Sequence, residues 1–326
     1  MSLFKLLEQS AKSFVRGIDK KNNKKLIAIV GKLPARTSVT LIDIGAAGDI
    51  EPRWKKFEPI LNYIGFEPDE RSRNLLEQKE NRCLNYSILP NALWESSGDI
   101  SINLCRAPQV SSYYSPNRGF VDLFPNPNRF DIESSVRLNT VKLDDLNFSS
   151  ADFMKVDIQG GELNALRGGI SLLDKTLGLE IEVEFLPIYS NQPLFGEVSE
   201  FASKLGFQFI DFVSLIRWQR NSQNSFGQCT FADALFLRSP EYVMENHGND
   251  NVIISKYLSI CLLYNRFDII DRVIHLLDEK KVKSYIDFIK AIEPLKRKEK
   301  KLIRINSLAS KLIRIYGSEY RSHVTY

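Results

Sequence analysis

Seven short apolar runs, separated by amphipathic stretches, leave this chain few ways to fold. The runs are SVTLIDIG, LNYIGFE, CLNYSILPNALWE, DFMKVDI, GLEIEVEF, FQFIDF and ADALFLR, spread between residues 38 and 238. The first is continuously apolar, the character of a strand buried on both faces of a parallel sheet. Between the runs, RSRNLLEQKEN, GGELNALRGGISLLDK and GEVSEFASKLG carry apolar residues at helical spacing, and the last ends on a glycine stop. Strand–helix alternation of this kind implies βαβ units and a Rossmann-like α/β fold. The last two runs have no helix between them, so a seven-stranded, mainly parallel sheet with an antiparallel last strand is expected. Pro90 interrupts the third run, and GDISINLC and TVKLDDL flank a polar segment that reads as hairpin and loop.

Charge divides the chain in three. Residues 1–36 carry a net charge of +7, residues 37–240 a net −8 and residues 241–326 a net +5. The first segment sets Leu3, Leu7, Phe14 and Ile18 at roughly helical spacing opposite a lysine-rich face, followed by a linker. The last, from Asn246 on, loses all strand signal and reads as a helical hairpin turning near Tyr264–Phe267, with more helix after it. The boundaries expected are therefore 1–36, a basic amphipathic helical segment and linker; 37–240, the α/β domain; and 241–326, a helical C-terminal region. At 43% hydrophobic and 26% charged residues the composition is that of a soluble globular protein. No apolar run approaches the ~20 residues that cross a bilayer, and the N-terminus does not read as a signal peptide, so a cytoplasmic location is expected. The four scattered cysteines and three histidines form no CxxC pair and no zinc spacing.

The chemistry concentrates in two places. Asp43-Ile44-Gly45-Ala46-Ala47-Gly48 stands at the carboxyl end of the first strand, where open α/β sheets bind ligands. Its glycines permit close backbone approach, and amides such as those of Gly45 and Ala46 can hold an anionic group. Glu67 ends the second strand, where a carboxylate can accept hydrogen bonds from both hydroxyls of a ribose. A dinucleotide site wants glycine two positions before Gly45; Asp43 there would repel a pyrophosphate and suits a cation. S-adenosylmethionine carries both an ammonium and a sulfonium, and is the nucleoside favoured. The second place is DFMKVDIQGGELNALRGG, residues 152–169, which crowds Lys155, Asp157, Gln159 and Glu162 at a strand end and the first turn of a helix. Asp157 at the strand's carboxyl end reads as functional. Glu162 reads either as a helix cap favoured by the macrodipole or as part of the same site.

With those pieces in place, residues 37–238 resemble the FkbM-type methyltransferases, a branch of the class I S-adenosylmethionine-dependent enzymes. LIDIGAAGD, YIGFEPDE, NALWESSGDISINL, TVKLDDL, DFMKVDIQGGELNALRGG, EVEFLPIYSNQPLFGEVSEFASKLGFQFIDF and ADALFLR match in order. Gln159 departs from the family, which has glutamate there. The resemblance implies a cofactor-binding set of Asp43, Gly45, Ala46, Glu67, Ala92, Leu93 and Asp157, with Ala92 and Leu93 bordering the adenine. It implies methylation of a hydroxyl on a sugar, glycan or glycolipid, as in polysaccharide biosynthesis. The segments SSYYSPNR and LPIYSNQPLF would shape the acceptor pocket. Catalytic roles are expected of Asp157, Glu162 and Glu184, the last able to orient an acceptor. No metal is expected, since Gln159 weakens the acidic cluster.

Two other function classes remain in view: an NAD-dependent Rossmann-like oxidoreductase, disfavoured by Asp43, and a non-catalytic binding module in a glycan assembly complex. The partner expected is a small-molecule or glycan acceptor, not a nucleic acid, because no recognition motif is present and the middle is acidic. The basic ends suit an anionic membrane surface or a second copy of the chain. His247 reads as a surface histidine and His275 as packing or solvent. Tyr113, Tyr114 and Arg118 read equally as sugar contacts or as loop framework.

Overall fold

The computed structural model of the chain describes residues 25–220 and 227–315. The amphipathic helix expected around residues 3–18 lies outside the described residues, and a separate short helix spans 25–30. Two compact units are present. The larger comprises Val39–Ile50 and Leu61–Ser239.

Its centre is a seven-stranded sheet in the order β3-β2-β1-β7-β8-β10-β9. The strands are β1 Val39–Ile44, β2 Leu61–Phe66, β3 Asn85–Leu89, β7 Phe153–Val156, β8 Gly178–Glu184, β9 Phe207–Trp218 and β10 Gln228–Arg238. The first five pair in parallel, and β10 lies between β8 and β9 antiparallel to both. This is the architecture expected from the alternation. A smaller sheet, β4 Ala92–Leu93, β5 Gly98–Cys105 and β6 Ile132–Val141, is inserted between β3 and β7 in the order β4-β6-β5. The third apolar run thus splits. Proline has no N–H for a ladder, and after Pro90 the chain leaves the main sheet and pairs with β6 instead.

The two faces of the main sheet differ. Ile42, Ile44, Met154, Val156, Leu179, Ile181 and Val183 point to one face and form the main core with Leu163, Leu166, Val198 and Ala202 from the helices. Each such side chain removed from water contributes about 1.5–3 kcal/mol. Strand alternation sends Asp43, Lys155 and Glu180 to the other face. The register pairs Asp43 with Lys155 and Lys155 with Glu180, so a row of charge crosses three central strands. Their alignment in one row comes from the pairing register between strands and not from any single run.

The helix expected over GGELNALRGGISLLDK forms as two pieces, Glu162–Arg167 and Ile170–Leu173. Close packing explains the break: a Cβ on Gly168 would meet the Trp94 carbonyl oxygen at 2.2 Å, and one on Gly169 would meet Leu143 at 2.8 Å.

The second unit comprises, among described residues, 25–38, Glu51–Ile60 and 240–315. Glu51–Ile60 comes between β1 and β2 in the chain yet packs here. Trp54 is fully buried, edge-on to both Phe57 and Tyr264, and its indole N–H donates to the Tyr264 hydroxyl at 3.2 Å. The expected helical hairpin is present as Asn251–Leu263 and Phe267–Leu276, the first capped by the Asp250 carboxylate. The helix that follows, Glu279–Ile315, is continuous through Pro294. Among described residues no helix is long and apolar enough to cross a membrane.

Candidate active site

The site is assembled where β1, β2, β7 and β8 end. Gly45 and Ala46 both donate their amides to the Phe66 carbonyl, at 3.1 and 3.0 Å, which ties the loop after β1 to the end of β2. Gly45 has φ +87, and a Cβ there would lie 1.9 Å from the Asp157 carbonyl oxygen. Only glycine tolerates both that dihedral and that contact. The Asp157 amide donates to the Ile44 carbonyl at 2.9 Å. The glycine loop and the end of β7 are therefore in direct backbone contact. Further along the loop, Gly48 has φ +103 and open space where a side chain would be.

Asp43 sits one alternation step inside this rim and is 3% exposed. The Tyr63 hydroxyl donates to its Oδ2 at 2.8 Å, and the Lys155 ammonium lies 3.9 Å from its Oδ1. Burial, then Asp43, hold the Tyr63 phenol well above its ordinary pKa. Burial opposes the charge of Lys155, but Asp43 and Asp157 outweigh it and keep Lys155 protonated. Asp43 thus belongs to the supporting layer beneath the loop. Glu67, also buried, follows β2; its Oε1 accepts the Asp69 amide at 2.8 Å, which leaves its second oxygen for a ligand. Burial raises its pKa against the pull of that amide.

Beside the loop stands a knot of carboxylates. Asp157, Glu162 and Glu182 each bring an oxygen within 4.8 Å of the others. Glu184, two residues beyond Glu182 on the same face of β8, is buried as well. Glu162 accepts the amides of Ile158 (2.8 Å) and Gly160 (3.1 Å), so the loop folds back on its own helix start. Gln159 occupies the middle. Its Nε2 donates to Glu182 at 2.7 Å and to Asp157 at 3.3 Å, and its Oε1 accepts the Tyr189 hydroxyl at 3.1 Å. Its carbonyl accepts the Ser112 hydroxyl at 2.6 Å, and its φ is +60, a left-handed conformation that glutamine seldom adopts. Such strain persists where the surroundings over-determine it, and here four side chains do so.

The cluster's protonation follows from burial and like charge. Burial raises Glu162 to about 7, with Asp157 adding repulsion and the loop amides opposing it. Burial, then Asp157, push Glu182 well above the carboxylate range; burial, then Glu162, do the same to Glu184. Lys155, 3.3 Å from Asp157, places one positive charge at the cluster's edge. Near neutral pH Glu162, Glu182 and Glu184 hold protons in part rather than all ionising. The same three oxygens could ring a small divalent cation, though Lys155 already neutralises one side.

The residues singled out in sequence divide accordingly. Asp157 and Glu162 come together with Glu182, and Glu184 is buried two residues further along the same strand face. Gly45, Ala46 and Glu67 line the adjoining loop, and Asp43 lies beneath it. Ala92 and Leu93 are in β4 rather than at the end of β3, both buried, and Leu93 joins the main apolar core. Tyr113 is tilted against Trp94 at 4.7 Å, and the Tyr114 hydroxyl donates to Asn164 at 2.8 Å. Arg118 is engaged by Asp122 (2.6 Å) and Asp131 (3.2 Å), within its own loop. His247 ends the helix Pro240–His247, and His275 is exposed. Tyr189 was missed as a site residue. Its sequence surroundings, LPIYSNQP, mark a loop but say nothing of which side chain reaches Gln159. Two cavities, of about 840 Å³ around His247 and Lys281 and about 420 Å³ around Asn62 and Phe148, are lined by none of Asp157, Glu162, Glu182 and Glu184.

Residues 48–209 match the model of the methyltransferase FkbM domain. The matched span takes in Glu67, Asp157, Glu162, Glu182 and Glu184 and begins after β1. No curated protein matches the chain. Among solved structures, an FkbM methyltransferase from Methylobacillus flagellatus KT is 15% identical, with 61% of this chain and 43% of that one covered at a TM-score of 0.37. This chain therefore spans less than half of that protein. A magnesium protoporphyrin IX methyltransferase from Synechocystis PCC 6803 with bound SAM is 9% identical, covering 73% and 86% at 0.34. A precorrin-6y C5,15-methyltransferase from Geobacter metallireducens GS-15 is 9% identical, covering 65% and 88% at 0.31.

Proposed function

We propose that this chain, whose residues 48–209 match the methyltransferase FkbM domain, is an S-adenosylmethionine-dependent O-methyltransferase acting on a hydroxyl of a sugar, glycan or glycolipid. The observation that carries the reading is the backbone junction of Gly45 with Asp157, which sets a ligand-holding loop against a set of proton-holding carboxylates.

The residues present fit the cofactor. Glu67 has an oxygen left for ribose hydroxyls, the loop is open at Gly48, and the charge beneath it is the Asp43 carboxylate; the Gly45 and Ala46 amides, expected to hold an anionic group, are instead spent on the Phe66 carbonyl. When bound, S-adenosylmethionine supplies a methyl group already activated by its sulfonium. The protein then has two tasks. It must hold the acceptor oxygen in line, and it must take that oxygen's proton as the new C–O bond forms. A carboxylate raised to about 7 is half ionised at neutral pH, which suits Glu162 to accept a proton, with Asp157 and Glu184 beside it. Gln159 and Tyr189 hold Glu182 and Asp157 in place, so the cluster does not collapse between turnovers.

The test combines binding and transfer. Calorimetry with S-adenosylmethionine should show Glu67→Ala weakened at least ~10-fold, the loss of about 1.4 kcal/mol or more of charge-assisted hydrogen bonding. Radiolabelled S-adenosylmethionine with fractionated polysaccharide, lipid and small metabolites should label a carbohydrate pool. Asp157→Asn should abolish most of that labelling while leaving the protein folded. Binding of NAD in preference to S-adenosylmethionine would overturn the reading. So would tight cofactor binding with no label in any glycan fraction.

A further inference from the structure

A cluster of aromatic rings runs outward from the acids. Tyr189, whose hydroxyl reaches Gln159, lies edge-on to Phe130 at 6.2 Å; Phe130 is 6.0 Å from Trp218, and Trp218 is 5.3 Å from Phe124. The Arg129 guanidinium rests on this wall, 4.5 Å from the Trp218 ring centre and 4.9 Å from that of Phe130. Its Nε–H is buried and donates to nothing. The carboxylates of the surrounding loop are committed elsewhere. Asp122 pairs with Arg118, Asp131 with Arg118 and Arg106, and Glu133 with Arg106. Among described residues Arg129 has no carboxylate within ion-pair distance. Arg220 adds a second cation above Phe124, at 5.7 Å.

An arginine fork stripped of part of its water and left with an unused donor is unfavourable unless an oxyanion completes it. The planar fork and the aromatic faces are the pairing that recognises carboxylate or phosphate on a ring-shaped ligand. Resting on the methyltransferase reading above, we propose that Arg129 forms an oxyanion subsite for an acidic acceptor, a glycan bearing a carboxylate or phosphate, with the partly exposed Trp218 as the shelf beside it and buried Phe130 as backing. The subsite would choose the acceptor by charge at a point removed from the reacting hydroxyl. Burial lowers the Arg129 pKa from its ordinary value, the direction expected of a cation waiting for a counter-charge.

The full chain is titrated, with S-adenosylmethionine present, with D-glucuronate, D-glucose 6-phosphate and neutral D-glucose as probes. At least one charged sugar should bind ten-fold or more tighter than glucose, and which of the two does so separates carboxylate from phosphate. Arg129→Gln should reduce that preference to two-fold or less, with glucose and S-adenosylmethionine affinities unchanged. Arg129→Lys, which keeps the charge but loses the fork, should retain an intermediate preference that fades with salt. Equal binding of charged and neutral sugars by the parent chain overturns the subsite, as does a preference that survives in a folded Arg129→Gln. Failure of S-adenosylmethionine to bind overturns the underlying reading instead. Loss of preference in the glutamine variant, together with loss of its thermal transition, is resolved by the lysine variant: a folded lysine protein without preference also overturns the subsite.

Discussion

Glu162 shows how far one position can depend on its setting. Its folded pKa of about 7 lies above its ordinary 4.5. A carboxyl raised on folding binds its proton more tightly in the native state, so its contribution to stability is greatest below pH 4.5 and is lost as pH rises through 7. The full loss is about 3 kcal/mol, from about 1.4 kcal/mol per pKa unit. Glu162→Gln keeps an oxygen for the amides of Ile158 and Gly160 and cannot ionise. Its melting temperature should match the parent's near pH 5 and exceed it by several degrees at pH 8; a parallel pair of curves would refute the assignment. Sequence placed Glu162 between two roles, cap or site. The structure does not use it as the cap, since the helix begins at Gly161 with no side-chain cap; its carboxylate instead binds the loop amides of Ile158 and Gly160 and lies beside Asp157. Gln159 read as a weakened acid. Folded, its amide is the only group there that can donate to two carboxylates and accept from Tyr189 at once, so the departure from glutamate has a positive structural reason.

At the scale of elements, the strands were legible and their junctions were not. Runs dominated by apolar residues located β1, β2, β7, β8 and β10, although β8 alternates glutamate with apolar residues, because a strand covered on both faces needs little polar alternation. The same rule concealed Asp43, Lys155 and Glu180 as a row, since a pairing register is a property of two strands and not of either sequence. The split of β3 from β4 was signalled by Pro90, but the partner, β6, was set by distant residues. Arg238 is another such junction. At the end of β10 it is 2% exposed, stacks on Phe207 at 4.0 Å, and donates to the carbonyls of Thr176 (3.1 Å), Leu173 (2.9 Å) and Leu205. It therefore ties the last strand to the ends of two helices. Arg238→Ala should strand several buried carbonyls and cost about 3 kcal/mol or more, read as a lowered denaturation midpoint. A midpoint unchanged within error would show that water takes the guanidinium's place.

For the whole molecule, a bound cofactor should stabilise the sheet unit by mass action. At a concentration 100 times its dissociation constant, S-adenosylmethionine should contribute about 2.7 kcal/mol. Differential scanning calorimetry should show the transition rise with cofactor concentration, and NAD should have no such effect; a transition indifferent to S-adenosylmethionine would deny the loop its ligand. The sequence alone determined the class of fold, the strand ends where ligands could lie and the three blocks of charge. Those follow from local pattern: apolar periodicity, glycine at turns and acids at strand termini. Only the tertiary structure decided that Gly45 rests on Asp157, that Asp157, Glu162 and Glu182 bring their oxygens together, and that Tyr189 and Arg129 stand on the same aromatic wall. Protonation and contact depend on burial and on neighbours remote in the chain, and no local pattern encodes either.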